Sequence, residues 1–178
     1  MKKAQDLHEA GTCPDIKWHY IGQLQSNKAA MLVRDVPNLW AIESVGSVKL
    51  ANKLHAACTT EGKSDLRVFV QVNTSSEPQK GGVPPGDTLT LCEHIQTKCE
   101  SLHLAGLMTI GEAGASPIPF FRILRELRDE IGASLGSDGK AAEDASSGAS
   151  LSPGGSSSGG GSELELSMGM SGDFEDAI

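Results

Sequence analysis

The stretch Leu39–Asn73, LWAIESVGSVKLANKLHAACTTEGKSDLRVFVQVN, sets two strand-like runs on either side of one helical pattern. LWAIE and RVFVQVN are short and rich in branched and aromatic residues, and Val68, Val70 and Val72 fall on one face of the second. Between them Ser47 stands where a helix cap belongs, Val48, Ala51, Leu54, Ala57 and Cys58 recur at helical spacing, and Gly62 ends the run. A strand, a helix of this length and a second strand predict a parallel pair joined by a right-handed crossover.

The same rhythm extends in both directions. Lys17–Ile21 (KWHYI) precedes it, and Leu102–Ile110 (LHLAGLMTI) and Glu163–Met168 (ELELSM) follow, for five strands in all. Ser26–Val36 supplies a helix before the Pro37-Asn38 break. Asp87 is placed to cap another, with Leu91, Cys92, Ile95 and Cys99 inward. Ser116-Pro117 puts proline at a helix start, followed by Phe120, Leu124, Leu127 and Ile131, while Arg125, Glu126, Arg128, Asp129 and Glu130 cover a solvated outer face. Alternation of this kind means an α/β protein with parallel strands, as a doubly wound sheet or as a barrel. One segment breaks the rhythm: from Ala133 to Ser162, 18 of 30 residues are Ser or Gly. Such a run buries too little apolar surface to offset its ordering entropy and is expected to be a disordered insertion, either a tolerated loop expansion or a regulatory Ser-rich tail.

Composition narrows the function. Of the 178 residues 38% are apolar and 21% charged, as in ordinary globular domains. A net charge of −8, without basic patches or stacking aromatics, argues against nucleic acid. No run approaches the roughly 20 apolar residues of a membrane span, and Met1-Lys2-Lys3 leads into polar residues rather than a secretory signal, so the expected location is cytoplasmic. Cys13, Cys58, Cys92 and Cys99 form no C-x-x-C pair and read as reduced thiols, and the five histidines show no paired metal-ligand spacing.

Four turns carry polar or glycine-rich sequence after a strand. In Leu166–Phe174 (LSMGMSGDF) a strand ends, glycine permits a tight turn, and a helix opens with hydroxyls whose neighbouring N–H groups suit a phosphate; Ser171 as a plain helix cap is the alternative. Trp18–Lys28 (WHYIGQLQSNK) is either a polar active-site rim or a loop and cap with His19 in the core. Val70–Ser75 (VQVNTS) is again polar at a strand end. Gly106–Gly111 (GLMTIG) marks close approach to a ligand or only barrel packing. Turns of this sort on one end of several parallel strands form the pattern of a ligand rim.

In order and spacing these four segments resemble the pyridoxal phosphate homeostasis family, whose fold is similar to the N-terminal barrel of alanine racemase. The resemblance runs from about Asp15 to Glu112 and resumes at Glu163–Ile178, with LSMGMS-x-DFE-x-AI and WH-x-IG-x-LQSNK its most specific parts. It implies a (β/α)8 TIM-type barrel that binds pyridoxal 5′-phosphate, balances vitamin B6 pools and performs no turnover. By position, Ser167, Met168, Gly169, Met170 and Ser171 would line the phosphate pocket, with Asn73 and His19 near the cofactor ring.

On this reading residues 1–132 hold barrel strands three to six with their helices, 133–162 the insertion, and 163–178 the seventh strand and the phosphate-binding helix start. The family's first, second and eighth strands, the Schiff-base lysine and an Arg-Ile-Gly-Ser-type turn are then expected to lie outside this chain. None of the ten lysines occupies the Schiff-base position, so covalent attachment and full function are expected to be impaired. Two other readings compete. One is an amino-acid racemase-like enzyme, which needs that lysine and a second base, commonly a tyrosine; the single tyrosine, Tyr20, is a poor candidate. The other is a non-functional partial gene model. Protein partners are not legible.

Overall fold

The computed structural model describes residues 2–11, 13–75, 77, 81–112, 114–137 and 163–178. Strands β1 (Trp18–Tyr20), β2 (Leu39–Val45), β3 (Leu66–Gln71), β4 (Leu102–Met108) and β5 (Glu165–Ser167) form one sheet, parallel throughout, in the spatial order β1-β2-β3-β4-β5. Strand order equal to chain order decides between the two architectures. A doubly wound sheet reverses direction at a switch point, whereas sequential right-handed crossovers put every helix on the same face. The fold is therefore a partial (β/α) barrel of five strands.

Helices α1 (Lys2–Glu9), α2 (Ala29–Asp35), α3 (Val48–Thr60), α4 (Thr88–Lys98) and α5 (Ile118–Ser137) complete it. The main core lies between helices and sheet: Val68, Val70 and Val72 of β3 and its extension meet Leu50, Leu54 and Cys58 of α3 and Leu91, Cys92 and Ile95 of α4. The opposite, concave face carries a small separate cluster, Ala41, Phe69, Ala105 and Met108. The alternation seen in RVFVQVN thus splits as a strand's period of two requires.

Local signals hold in most places. The Ser47 hydroxyl accepts from the Leu50 N–H and caps α3. Elsewhere the structure corrects the sequence. Val48 is exposed and leaves the α3 stripe. Asp87 makes no capping bond; the chain enters α4 through a 3-10 turn at Pro85–Asp87, and the Thr88 hydroxyl donates to the Pro84 carbonyl. Phe121, one residue on from Phe120, is the aromatic buried under α5. Arg128 is not merely solvated, because it bonds Asp129 at 2.6 Å and Glu163 at 3.1 Å, tying α5 to the approach of β5. Helix α5 runs to Ser137 and takes in the first five residues of the predicted insertion; the rest of that segment, 138–162, lies outside the described residues. Helix α1 was not anticipated, since only Ala4 of its eight residues is buried. Among the described residues no helix is long and apolar enough to cross a membrane.

Candidate functional site

The sheet curls far enough for side chains to bond across its hollow. Arg67 of β3 pairs with Glu165 of β5 at 2.6 Å, and Glu43 of β2 reaches Ser167 of β5, three strands away. The curl depends on β5 lying close to β4. Gly106 pairs with Glu165, and a Cβ on Gly106 would stand 2.0 Å from the Glu165 carbonyl oxygen. Strand packing, not ligand approach, therefore explains this glycine of the GLMTIG run.

Glu43 is the centre of the hollow. One carboxylate oxygen accepts from His19 Nδ1 at 2.5 Å and the other from the Ser167 hydroxyl at 2.5 Å, with the Glu43 side chain only 12% exposed. His19 itself is half exposed on β1, so it belongs to the concave surface and not to the core. Its neighbours Trp18 and Tyr20 turn the other way and pack against the helix-side core, as alternation along β1 requires. Farther along the WHYIGQLQSNK run, Leu24 packs against the helix-side core. Ser26 and Asn27 line a cavity of about 590 Å³ on the outer face, together with Lys49, Lys53 and Ala57 of α3.

After β5 the chain makes a tight turn with Gly169 at φ +89°, where a Cβ would also come within 3.0 Å of Ala177. The helix expected to open after the LSMGMS run is a single 3-10 turn, Phe174–Ala177, too short to carry a helix dipole. The Asp173 carboxylate accepts the Met170 N–H and closes the turn. Met168 packs toward the helix-side core, whereas Met170 and Ser171 are exposed. The N–H groups of Gly169, Ser171 and Gly172 have no acceptor among the described residues. The turn thus presents open backbone donors, with one carboxylate already at its edge.

Asn73 is not part of this arrangement. Its amide donates to the Glu77 carbonyl at 2.8 Å and accepts from the Ser75 hydroxyl at 3.1 Å, which organises the loop after β3. Beside it the buried Thr74 and Thr109 hydroxyls meet at 2.8 Å, and Thr109 donates to the Val72 carbonyl at 3.1 Å, joining the ends of β3 and β4. The cleft they line, with Gln71, Asn73 and Gly111, holds about 40 Å³, room for little more than a water.

Glu43, Arg67 and Glu165 were not foreseen as concave-face residues. Alternation marks Glu43 as facing opposite to Ile42, and a charged residue inside a strand flanked by buried ones was the available signal. Every described lysine lies on a helical segment or on a loop at the N-terminal end of the sheet, so none stands in the hollow. Among the described residues no group of His, Cys, Asp and Glu could hold a metal.

No family model matches the chain. Curated relatives do. The pyridoxal phosphate homeostasis protein of Bos taurus is 40% identical over 100% of this chain and 59% of its own length, and that of Homo sapiens is 38% identical over 100% and 58%. The chain thus spans about three fifths of the relatives it matches. Among solved structures, PipY of Synechococcus elongatus with PLP bound superposes with a TM-score of 0.62 at 27% identity, over 75% of this chain and 61% of that one. Alanine racemase of Clostridium difficile matches at 0.56 and 15% identity over 78% and 34%, which shows the shared barrel fold. With a sheet of five sequential parallel strands, the chain is similar along its whole length to about three fifths of each of these pyridoxal phosphate homeostasis proteins.

Proposed function

We propose that the chain binds pyridoxal 5′-phosphate non-covalently on its concave face, as part of intracellular homeostasis of that cofactor and without turnover. The observation that carries this reading is the turn after β5. Its sequence is the most specific part of the family resemblance, and its Gly169, Ser171 and Gly172 N–H groups are open to an anion. In this arrangement Ser167–Ser171 holds the phosphate, the backbone of Gly169 and Ser171 donating first and the Ser171 hydroxyl adding a further bond. His19, across the hollow and already oriented by Glu43, faces the ring. Asn73 acts on the site only through the loop it organises. The bound cofactor would be a cargo, its aldehyde kept from other amines.

Two features favour carriage over catalysis. No described lysine faces the hollow to offer an amine to the aldehyde. The Tyr20 side chain, the only tyrosine available as a second base, packs toward the helices and donates to the Gln23 carbonyl at 3.5 Å.

Equilibrium dialysis tests the proposal. The chain should bind pyridoxal phosphate saturably, and Ser171→Ala together with Gly169→Ala should weaken binding about tenfold or more. Borohydride treatment followed by mass spectrometry should leave no single lysine modified stoichiometrically. A stoichiometric adduct at one lysine, or binding indifferent to the turn, would overturn the reading.

A further inference from the structure

The carboxylate at the centre of the hollow is unusual in its company. On the same face Glu165 is neutralised by Arg67 at 2.6 Å, but Glu43, with its side chain only 12% exposed, has no Lys or Arg within ion-pair distance among the described residues. Its partners are an imidazole and a hydroxyl, which use two of roughly four lone-pair positions on the two oxygens. A largely buried carboxylate without a permanent cation is costly, and a cation brought by a ligand relieves that cost. The position matters as much as the charge. Glu43 lies one hydrogen bond, 2.5 Å, from the hydroxyl of Ser167, the residue that opens the phosphate turn. A ligand seated there by its phosphate has its neighbouring substituent at this carboxylate.

We infer that Glu43 makes the site favour phosphate esters carrying an amine beside the phosphate over those with an apolar group there, so that it holds the amine form of the B6 phosphates as well as pyridoxal 5′-phosphate. This rests on the proposed function and specifies its ligand. In pyridoxamine 5′-phosphate the aminomethyl and phosphate-bearing groups occupy adjacent ring carbons. The ammonium therefore reaches Glu43 while the phosphate takes the open N–H groups of Gly169 and Ser171. The same carboxylate repels a bare phosphate dianion, and Asp173, which holds the Met170 N–H, adds to that repulsion. A cation attached to the phosphate offsets both. The pairing is a charge-assisted hydrogen bond formed out of water, the strong kind.

The experiment is calorimetric titration of the full chain with three probes: pyridoxamine 5′-phosphate, 4-deoxypyridoxine 5′-phosphate, which has a methyl group in place of the aminomethyl, and inorganic phosphate. The chain should bind the amine about tenfold more tightly than its methyl counterpart. In Glu43→Gln, which keeps the shape and removes the charge, that ratio should fall to near one while affinity for inorganic phosphate holds or rises. An equal affinity for the two ring phosphates overturns the inference, as does a preference that survives in Glu43→Gln. Should Glu43→Gln not fold, the comparison of the two ring phosphates on the unaltered chain decides alone. Equal affinity of the unaltered chain for the two ring phosphates, with inorganic phosphate still bound, refutes the role of Glu43 only. Failure of all three probes to bind refutes the phosphate turn and the role of Glu43 with it.

Discussion

At the scale of single residues, the cysteines give a test of burial that needs no ligand. Cys13 is exposed, whereas Cys58, Cys92 and Cys99 are buried in the helix-side core. Burial pushes the Cys58 thiol up to about 11, partly offset by Lys63, and the Cys92 thiol up to about 12; Cys99 is raised for the same reason. Since the thiolate is the reactive form, Ellman's reagent at pH 8 should find one fast thiol in the native chain and four in guanidinium. The sign of the linkage follows. In the unfolded chain these thiols lose protons near pH 9, while in the folded chain they keep them. Their contribution to stability is complete below pH 9 and is lost as the pH rises toward about 11 for Cys58 and about 12 for Cys92. The urea midpoint should therefore drop between pH 8 and pH 10, and it should drop less in Cys92→Ala. The sequence marks these cysteines as reduced core thiols through their helical spacing. It does not show that His19 and Glu43 face one another, because that contact depends on the register between β1 and β2, where His19 aligns with Ala41.

At the scale of elements, β5 is the piece on which the site depends most. It has three residues, pairs among the described residues only with β4, and brings Ser167 to Glu43. Its seat requires Gly106, where any side chain meets the Glu165 backbone. Gly106→Ala should cost about 3 kcal/mol in a urea titration, the upper end of overpacking effects, and should raise amide exchange around Leu166 and Ser167 before the rest of the sheet. A loss under 1 kcal/mol with β5 still protected would contradict this account. All five strands were legible in the sequence, with ends shifted by a few residues, because branched runs bounded by turn residues leave little choice. The last helix was not. Its glycine, hydroxyl and acidic residues fit a helix start, yet four residues in a 3-10 turn are all that form, with the Asp173 carboxylate spent on the Met170 N–H.

For the whole molecule the question is what the concave face and the two outer strands meet. Within the described residues β1 and β5 each have one unpaired edge, and the C-terminal rim exposes Ile21, Ile110, Met170, Phe174 and Ile178. Open parallel edges beside apolar side chains are prone to association. The isolated chain should show a concentration-dependent sedimentation coefficient and a broad melt; a sharp, high-temperature transition of a strict monomer would refute this expectation. Sequence alone left the choice between a doubly wound sheet and a barrel open, since both alternate strand and helix. Strand order decides it, and order is a property of which neighbour each strand meets, which no local pattern encodes.

That order also bears on how the chain acquires its structure. Each strand pairs with the one before it in the chain, and from β1 to β4 the connections are short. From β1 to β4 a chain leaving the ribosome has each strand's partner close at hand, and each new strand–helix unit docks on a template already in place, whereas β5 joins only after the long connection from Met108 to Glu165. These five strands can thus be assembled by addition at one edge, with β5, which carries Ser167, joining after the other four.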